Sequence, residues 1–361
     1  MKYIDEFRNK EAARTIINSI RRETGEKQIT FMEVCGTHTM SIARFGIQEV
    51  LPKNIRLISG PGCPVCVTPN HYIDHAVALS RREDVIITTF GDMMKVPGSS
   101  SSLEKEHIKG NDIRVVGSTL EALHIAEKNS KKNVVFLGVG FETTVPTVAA
   151  SLMQAQSEKL NNYSVLSAHK TMPEAMKALS QGDVNIDIFI CPGHVSTITG
   201  TKFYYSLVEE FGIGCVVSGF ELLDILQSIL MGVKQVVQND LKVENQYTRA
   251  VKAEGNPRAL ETIYEVMEPS DAVWRGLGVI PDSGLAIKEE YSSWNTEKRI
   301  NVDIEDTVEP KGCICGQILQ GKKIPPQCKH FGTDCVPDNP IGACMVSSEG
   351  ACAAYFKYKV Q

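Results

Sequence analysis

Short apolar runs alternate with helical stretches over the first 240 residues of this chain. Eight of the runs are rich in β-branched and other apolar residues and have the length of buried strands. The predicted strands are residues 29–34, 55–59, 85–90, 113–116, 134–139, 164–167, 186–191 and 215–218. The predicted helices are residues 3–22, 72–82, 120–128, 147–156, 173–179, 203–211 and 220–231.

This alternation predicts βαβ units and therefore an α/β fold with mostly parallel sheets. Eight strands suit two halves better than one, so we predict two Rossmann-like domains facing a cleft, at residues 1–125 and 126–240. Residues 256–267 still have a helical pattern, but Gly, Pro and Cys dominate from residue 310. We expect residues 241–361 to form a loop-rich C-terminal domain that a bound metal stabilises.

Polar or glycine-rich segments follow directly after six of the predicted strands. They are Cys35, the 60–66 loop, Gly91-Asp92, residues 140–144, His169-Lys170 and residues 192–194. Ligands of open α/β sheets bind outside the carboxyl ends of the strands. We therefore expect these segments to line a single cleft.

Composition and charge exclude several classes of function. The net charge of −5 gives no basic surface for nucleic acid. The first residues lack the apolar core of a signal peptide, and no apolar run approaches the roughly 20 residues of a membrane span. We expect a cytoplasmic protein, in which eleven cysteines indicate metal or redox chemistry rather than disulfides. Cys191 and Cys215, within predicted strands, have the simpler interpretation of small buried apolar residues.

The segment Gly60-Pro-Gly-Cys63-Pro-Val-Cys66 contains a dithiol that could close a disulfide or bind a soft metal. A helix predicted to begin near Pro69 would lower the pKa of a nearby thiol and make it more reactive. Alternatively, the two cysteines could be half of the ligands of a zinc site, although the chain has no second C-x-x-C pair to complete it.

Cys35 and His38 lie in Glu33-Val-Cys35-Gly-Thr-His38-Thr and could act as nucleophile and base or as two metal ligands. His38 could instead only cap or orient the loop. A single thiolate near a dithiol suits a transiently bound metal, because structural sites are closed by four protein ligands.

Two other patterns are weak. Gly138-Val-Gly140 resembles the start of a dinucleotide fingerprint, but Thr143 stands where the third glycine is needed. His71 and His75 are four residues apart on a predicted helix without the glutamate of a zinc protease motif, so solvent-facing or packing roles are favoured.

Six cysteines fall within the last fifty residues, at positions 313, 315, 328, 335, 344 and 352. So many thiols in a Gly- and Pro-rich segment indicate an iron–sulfur cluster or zinc. The spacing alone does not choose four of the six, and it does not exclude His330 as a ligand.

Taken together, four ordered motifs resemble those of the HypD family of [NiFe]-hydrogenase maturation factors. Three are the Cys35 motif, the Cys63/Cys66 motif and Gly140-Phe-Glu142-Thr-Thr, and the fourth is Cys191-Pro-Gly-His194-Val-Ser. The tail cysteines match the family's spacing, with 14, 6 and 16 residues between Cys313, Cys328, Cys335 and Cys352. The resemblance covers essentially the whole chain.

The resemblance implies a C-terminal iron–sulfur domain with a [4Fe-4S] cluster on Cys313, Cys328, Cys335 and Cys352, leaving Cys315 and Cys344 as non-ligands. It also implies a scaffold that works with the small protein HypC, on which the Fe(CN)2CO group is built. HypE would deliver cyanide, having received its precursor from HypF, and the completed group would pass to the hydrogenase large subunit.

Within that role we assign the site residues as follows. Cys35 is expected to bind the iron of the Fe(CN)2CO group, with HypC supplying another ligand, and His38 to orient or protonate near the iron. Cys63 and Cys66 would form a redox dithiol linked to the tail cluster. Glu142 and His194 would line the cleft as proton or hydrogen-bonding groups.

Two other functions remain open at this stage. One is a cluster-dependent thiol/disulfide oxidoreductase, in which electrons pass from the cluster through Cys63 and Cys66 to a substrate disulfide. The other is a zinc-stabilised binding protein with no redox role.

Overall fold

Parallel strand pairing organises the computed structural model, which describes residues 5–359, into two sheets. Nine strands take part, and the central strands β3, β7 and β8 are buried along their whole length, as parallel strands covered on both faces are. The strands are β1 (Ile29–Glu33), β2 (Ile55–Ser59), β3 (Val85–Thr89), β4 (Ile113–Val115), β5 (Asn133–Gly138), β6 (Tyr163–Ser167), β7 (Ile188–Pro192), β8 (Gly214–Ser218) and β9 (Val243–Asn245). All eight predicted strands are present, and β9 was not predicted.

The sheets do not follow one another along the chain. The first has the order β2-β1-β7-β8-β9 and the second the order β4-β3-β5-β6, so the second sheet is inserted between two parts of the first. A boundary at residue 125 would fall between β4 and β5, in the middle of the second sheet. The two sheets therefore do not correspond to the consecutive segments 1–125 and 126–240, because Phe31 of β1 pairs with Ile188 of β7.

Helices cover the sheets and connect successive strands. They are α1 (Lys10–Thr24), α2 (Gly36–Arg44), α3 (Ile47–Val50), α4 (Pro64–Val67), α5 (Asn70–Ser80), α6 (Leu103–Ile108), α7 (Thr119–Lys128), α8 (Val145–Ser157), α9 (Met172–Ser180), α10 (Gly193–Thr199), α11 (Tyr204–Phe211), α12 (Leu222–Gln238), α13 (Pro257–Val266), α14 (Thr296–Arg299), α15 (Cys315–Leu319) and α16 (Ala351–Lys359). The helix predicted at residues 3–22 begins later, at Lys10, where the Asn9 side chain caps it. Tyr3 and Ile4 of that prediction lie outside the described residues.

An antiparallel hairpin separates the sheets from the cysteine-rich tail. Strands β10 (Met267–Trp274) and β11 (Gly278–Ile287) pair over most of their length, and the sequence pattern did not predict them. Most of β10 is solvent-exposed or half-buried, so it lacks the apolar run that marks the parallel strands. Beyond residue 300 the chain consists mainly of loops and short helices, as the Gly- and Pro-rich composition predicted.

One continuous apolar core joins the two sheets and the tail. It includes Val34 next to the first sheet, Val135 from the second and Met345 from the tail. Eight of the eleven cysteines belong to it, namely Cys191, Cys215 and six others. The six are Cys63, Cys66, Cys315, Cys335, Cys344 and Cys352. The thiols that the sequence singled out are therefore held in packed protein and are not mounted on free loops.

The loops after β1 and β2 contact each other through backbone. The Gly36 N–H donates to the Gly62 carbonyl at 2.9 Å, and Gly60 N–H donates to the Glu33 carbonyl at 2.8 Å. A Cβ at Gly62 would lie 2.1 Å from the backbone nitrogen of Cys35, closer than any side chain can approach. Glycine at this position therefore sets the position of Cys35 relative to the 60–66 loop.

We expect Gly62→Ala to reduce the free energy of unfolding by about 1–3 kcal/mol, since the added methyl must push the two loops apart. Gly117→Ala is a matched control, because a Cβ there would meet nothing closer than 3.7 Å. Anaerobic urea denaturation of both variants measures the effect. Equal stability of the two variants would contradict the close contact.

Candidate metal and thiol centre

Cys35 follows β1 and occupies the position just before the first turn of α2, in an extended conformation. Its thiol is almost completely buried, and burial raises its pKa to about 12, with the nearby Glu349 carboxylate adding to the effect. The Thr37 hydroxyl donates to Glu349 Oε1 at 2.6 Å, which fixes the tail segment against this loop. A metal that displaces the proton would therefore convert an otherwise inert thiol to the thiolate ligand.

His38 lies one turn further along α2 and is fully buried. Its Nε2 is 3.3 Å from the Ser218 carbonyl oxygen and 3.0 Å from that of Gly219. Carbonyl oxygens only accept hydrogen bonds, so Nε2 carries the proton and Nδ1 carries a lone pair. Nδ1 is buried without a hydrogen-bond partner among the described residues, and burial lowers the pKa of His38 to about 4. His38 is thus a neutral imidazole with an unused acceptor.

Two imidazoles stack on the Phe220 ring. His38 stacks on it with ring centroids 4.8 Å apart, and His194, near the start of α10, stacks on it with centroids 4.0 Å apart. Burial lowers the pKa of His194, and the Glu349 carboxylate opposes this shift. The ends of β1, β7 and β8 therefore bring His38 and His194 to one edge of the first sheet, where the Cys35 loop also lies.

The Cys63/Cys66 dithiol occupies the neighbouring loop. Cys63 Sγ accepts a hydrogen bond from the Cys66 N–H at 3.3 Å, at the start of α4. Cys66 is fully buried, which raises the pKa of its thiol. Because Gly62 packs on the backbone of Cys35, the dithiol and the single thiol belong to adjacent, hydrogen-bonded loops.

A row of thiol contacts continues from the dithiol into the tail. The Cys66 thiol is within hydrogen-bonding reach of Cys344, and Cys344 is within reach of Cys315. Cys315 in turn lies 3.2 Å from Cys313, Sγ to Sγ, and within reach of Cys352. Cys315 and Cys344, which the resemblance leaves without a role, therefore connect the dithiol to two of the expected cluster ligands.

The row of thiol contacts does not include Cys328, Cys335 or His330. Cys335 Sγ accepts from the Ile341 N–H at 3.3 Å and lies close enough to Cys313 and Cys315 for their charges to affect it. Cys328 Sγ lies 3.9 Å from the Gly312 carbonyl oxygen. His330 has both ring nitrogens in contacts, 3.2 Å from Asp334 and 3.1 Å from the Lys311 carbonyl oxygen, so it is not poised as a ligand.

The donor set fits an iron–sulfur cluster in its chemistry, because thiolates are the ligands of such clusters. Within residues 5–359, no three Cys, His, Asp or Glu side chains are grouped to hold one metal ion. A [4Fe-4S] cluster makes a different demand, because each of its four thiolates binds a separate iron and they need not meet at one point. Gly342 lets the backbone pack directly on two of these thiols, since a Cβ would lie 2.6 Å from Cys315 Sγ and 2.7 Å from Cys313 Sγ.

Arg275 is a buried charge beside Cys313 and Cys315, and the sequence pattern did not indicate it. Its Nε donates to the Thr68 carbonyl at 2.8 Å, and one terminal nitrogen is buried with no partner among the described residues. Arg275, Cys313 and Cys315 line one cavity of about 310 Å³. The contact with Cys315 and burial raise the pKa of the Cys313 thiol, and the Arg275 cation opposes this shift. No local motif marks Arg275, which becomes a neighbour of the tail only through the hairpin.

Glu142 lies at the carboxyl edge of the second sheet. Its Oε1 accepts from the Met172 N–H at 2.9 Å, while Oε2 is buried without a partner among the described residues. It lines a cavity of about 620 Å³ formed with α9, α13 and the hairpin, and no cysteine is on the wall. Burial raises its pKa to about 7. The polar loops of the two sheets thus serve more than one cavity, in contrast to the single cleft expected.

Cys191 and Cys215 are fully buried on the neighbouring strands β7 and β8. Their thiols are within hydrogen-bonding reach of each other, and both lie in the apolar core. This is the packing role that the sequence favoured.

The chain was compared with known proteins. The HypD family model, described as the hydrogenase formation hypA family, matches residues 11–359. The hydrogenase maturation factor HypD2 of Bradyrhizobium diazoefficiens is 48% identical over 99% of this chain and 97% of its own length. The HypD maturation factors of Azotobacter vinelandii and Rhodobacter capsulatus are 45% and 43% identical over 99% of this chain, covering 97% and 98% of their own lengths. Across residues 5–359, the helices lack the combined length and apolarity that crossing a bilayer requires.

The raised pKa of Glu142 predicts a pH-dependent effect of Glu142→Gln. Between pH 4.5 and about 7 the folded protein holds the proton and the unfolded chain releases it, so this residue's stabilisation is lost as the pH rises. The variant should therefore gain stability relative to the native protein from pH 5 to pH 8, by at most about 3 kcal/mol. Melting temperatures of both proteins at the two pH values measure this, and a constant difference would contradict it.

Proposed function

This chain belongs to the HypD family of hydrogenase maturation factors, and from this premise we propose that it is the scaffold on which the Fe(CN)2CO group of [NiFe]-hydrogenase is assembled. It acts with HypC and receives cyanide from HypE. The observation that carries the proposal is the position of Cys35. One isolated, buried thiol stands in a loop that is hydrogen-bonded to the loop of a dithiol.

Cys35 is the ligand that this chain offers to the iron. Cyanide and CO bind best to an electron-rich, low-spin iron, and a thiolate supplies electron density to it. The neutral thiol is stable in its buried loop, so the thiolate forms when iron replaces the proton. One protein thiolate is too few to retain a metal permanently, which suits a group that must be handed on. HypC supplies a further ligand in this proposal.

His38 and His194 are the groups that hold and orient protons near the iron. The free Nδ1 lone pair of His38 accepts a hydrogen bond from a ligand or water, since Nε2–H is already committed to two carbonyls. His194 also stacks on Phe220 and is exposed, so it connects this edge of the sheet to solvent. Glu142 lines its own cavity, and its part would be a proton reservoir at the second sheet.

The tail thiols would hold the resident [4Fe-4S] cluster, on Cys313, Cys328, Cys335 and Cys352. When bound, such a cluster stores and releases single electrons. Cys63 and Cys66 release two electrons and two protons when they close a disulfide and take them up when it opens. The row of contacts through Cys344 and Cys315 supports an exchange of those electrons between the dithiol and the tail.

The partners follow from the same role. HypC and HypE would meet this chain at the Cys35 edge of the first sheet, with HypF upstream of HypE. The hydrogenase large subunit receives the completed group indirectly. The protein would work in the cytoplasm, without nucleic acid or membrane.

A cluster-dependent thiol/disulfide oxidoreductase is the second candidate, and the row of thiols is the observation that favours it. It differs from the scaffold in needing neither HypC nor HypE. Turnover of an independent disulfide by the isolated protein would favour the oxidoreductase, whereas diatomic ligands on iron favour the scaffold.

Cys35→Ala should abolish the infrared bands of metal-bound cyanide and CO in protein purified anaerobically with HypC, because the iron loses its thiolate. Cys215→Ala is the matched control, since that thiol is equally buried but lies among apolar side chains on β8. Infrared spectra of both complexes provide the measurement. Bands that persist in Cys35→Ala would remove the assignment.

Cys66→Ser and Cys344→Ser should each reduce hydrogenase maturation about tenfold or more while leaving the tail cluster in place, because each breaks the row of thiols without removing a proposed ligand. Cys191→Ser serves as the control. Maturation assays are paired with iron and acid-labile sulfide analysis. Unchanged maturation would contradict the redox role, and zinc without sulfide would favour the zinc-stabilised binding protein.

A further inference from the structure

A polar cavity of about 250 Å³ lies at the carboxyl edge of the second sheet, between α5 and the β10–β11 hairpin. Its wall includes Ser167, His169 and Lys170, from the end of β6 and the loop that follows, and His71 and His75 from α5. No cysteine lines it, so it is separate from the thiol centre. Its volume suits a ligand smaller than a typical cofactor.

Lys170 is a buried cation without a counter-ion. Its side chain is 3% exposed, and Nζ lies 5.6 Å from the centroid of the Trp274 ring. Throughout the described chain it has neither an ion pair nor a side-chain hydrogen bond. Burial lowers its pKa to about 8, and no acidic neighbour opposes the shift, so the amine is still largely protonated at neutral pH. An unpaired buried charge is costly unless a ligand neutralises it.

Two histidines add unused polar atoms to the same wall. His169 Nδ1 lies 3.0 Å from Ser167 Oγ, while its Nε2 is buried with no partner in the described part of the chain. His75 is 8% exposed, and neither of its ring nitrogens bonds to a described residue. The carboxylates that line this cavity, Asp271 and Glu297, are both exposed to solvent. Burial lowers the pKa of His169 to about 3 and that of His75 to about 4, so Lys170 supplies the positive charge of the inner wall and the histidines are neutral.

We propose that this cavity binds a small oxyanion, which pairs with the Lys170 ammonium and accepts hydrogen bonds from the imidazoles of His169 and His75. A charge-assisted bond to a buried ammonium is among the stronger polar contacts in proteins. The position at the carboxyl end of β6 is on the edge where open α/β sheets bind ligands. This site goes beyond the assembly of the iron group and does not depend on it.

Inorganic phosphate and acetate are the probes, titrated by calorimetry into the full-length protein under anaerobic conditions, with chloride at matched ionic strength. We expect saturable binding of at least one probe and a higher melting temperature in its presence. Lys170→Met should weaken the Kd about tenfold or more. The same change should raise the melting temperature without a probe, because a methionine of similar length replaces an unpaired buried charge.

Lys128→Met is the matched control, since it removes the same charge from the exposed surface of α7. It should leave the Kd unchanged. His75→Phe is a second variant that loses only a donor and should weaken the Kd about threefold to tenfold. It tests the site by itself if Lys170→Met does not fold.

The two probes distinguish the source of the oxyanion. Saturable binding of phosphate alone would assign a phosphate site, and binding of acetate alone would assign a carboxylate site. Binding of both probes would assign a site that accepts either anion. Absence of saturable binding, or a Kd that is the same in the native protein, Lys170→Met and His75→Phe, would overturn the proposal. Cys35→Ala should keep the oxyanion affinity, so loss of the infrared bands and loss of this site are separate results.

Discussion

The backbone contact between Gly62 and Cys35 is the constraint on which the thiol centre depends. It fixes the loops after two neighbouring strands at a distance that no side chain would permit. The single thiol and the dithiol therefore keep one relative position without any bond between their sulfur atoms. The tail then packs on these loops through contacts of Thr37 with Glu349 and of Cys66 with Ala343, which bring Cys344 within reach of the dithiol.

Burial has a consistent effect on the ionisable groups of this molecule. Cys35, His38 and Glu142 are held in their neutral forms at mildly acidic pH, and His38 and Glu142 each leave a buried polar atom without a partner among the described residues. Lys170 differs from these three groups, because a buried lysine that remains charged needs a counter-ion, and the described chain does not supply one. Groups kept neutral by burial are also the ones whose protonation a bound metal or anion can change most.

The sequence predicted what depends on local pattern. The parallel α/β fold is confirmed, as is membership of the HypD family, because the strands and the motif residues lie in short, well-marked segments. The interleaved sheets were missed, since which strand pairs with β1 is decided by packing far along the chain. The links through Cys344 and Cys315 were missed for the same reason. The cluster ligands and the individual roles of Cys35, Cys63, Cys66, His38, His194 and Glu142 stay predictions.

The interleaved topology also has a consequence for synthesis. The first two strands leave the ribosome early, yet β1 lacks one of its neighbours until β7 has been made, after the whole second sheet. N-terminal domains commonly fold first during translation, and this one is prevented from doing so. Cys35 therefore acquires its buried environment only after β7 has been made, and Cys352 of the tail is translated after all nine strands of the two sheets. The order of translation thus delays assembly of the thiol centre until the second sheet, β7 and the tail have all been made.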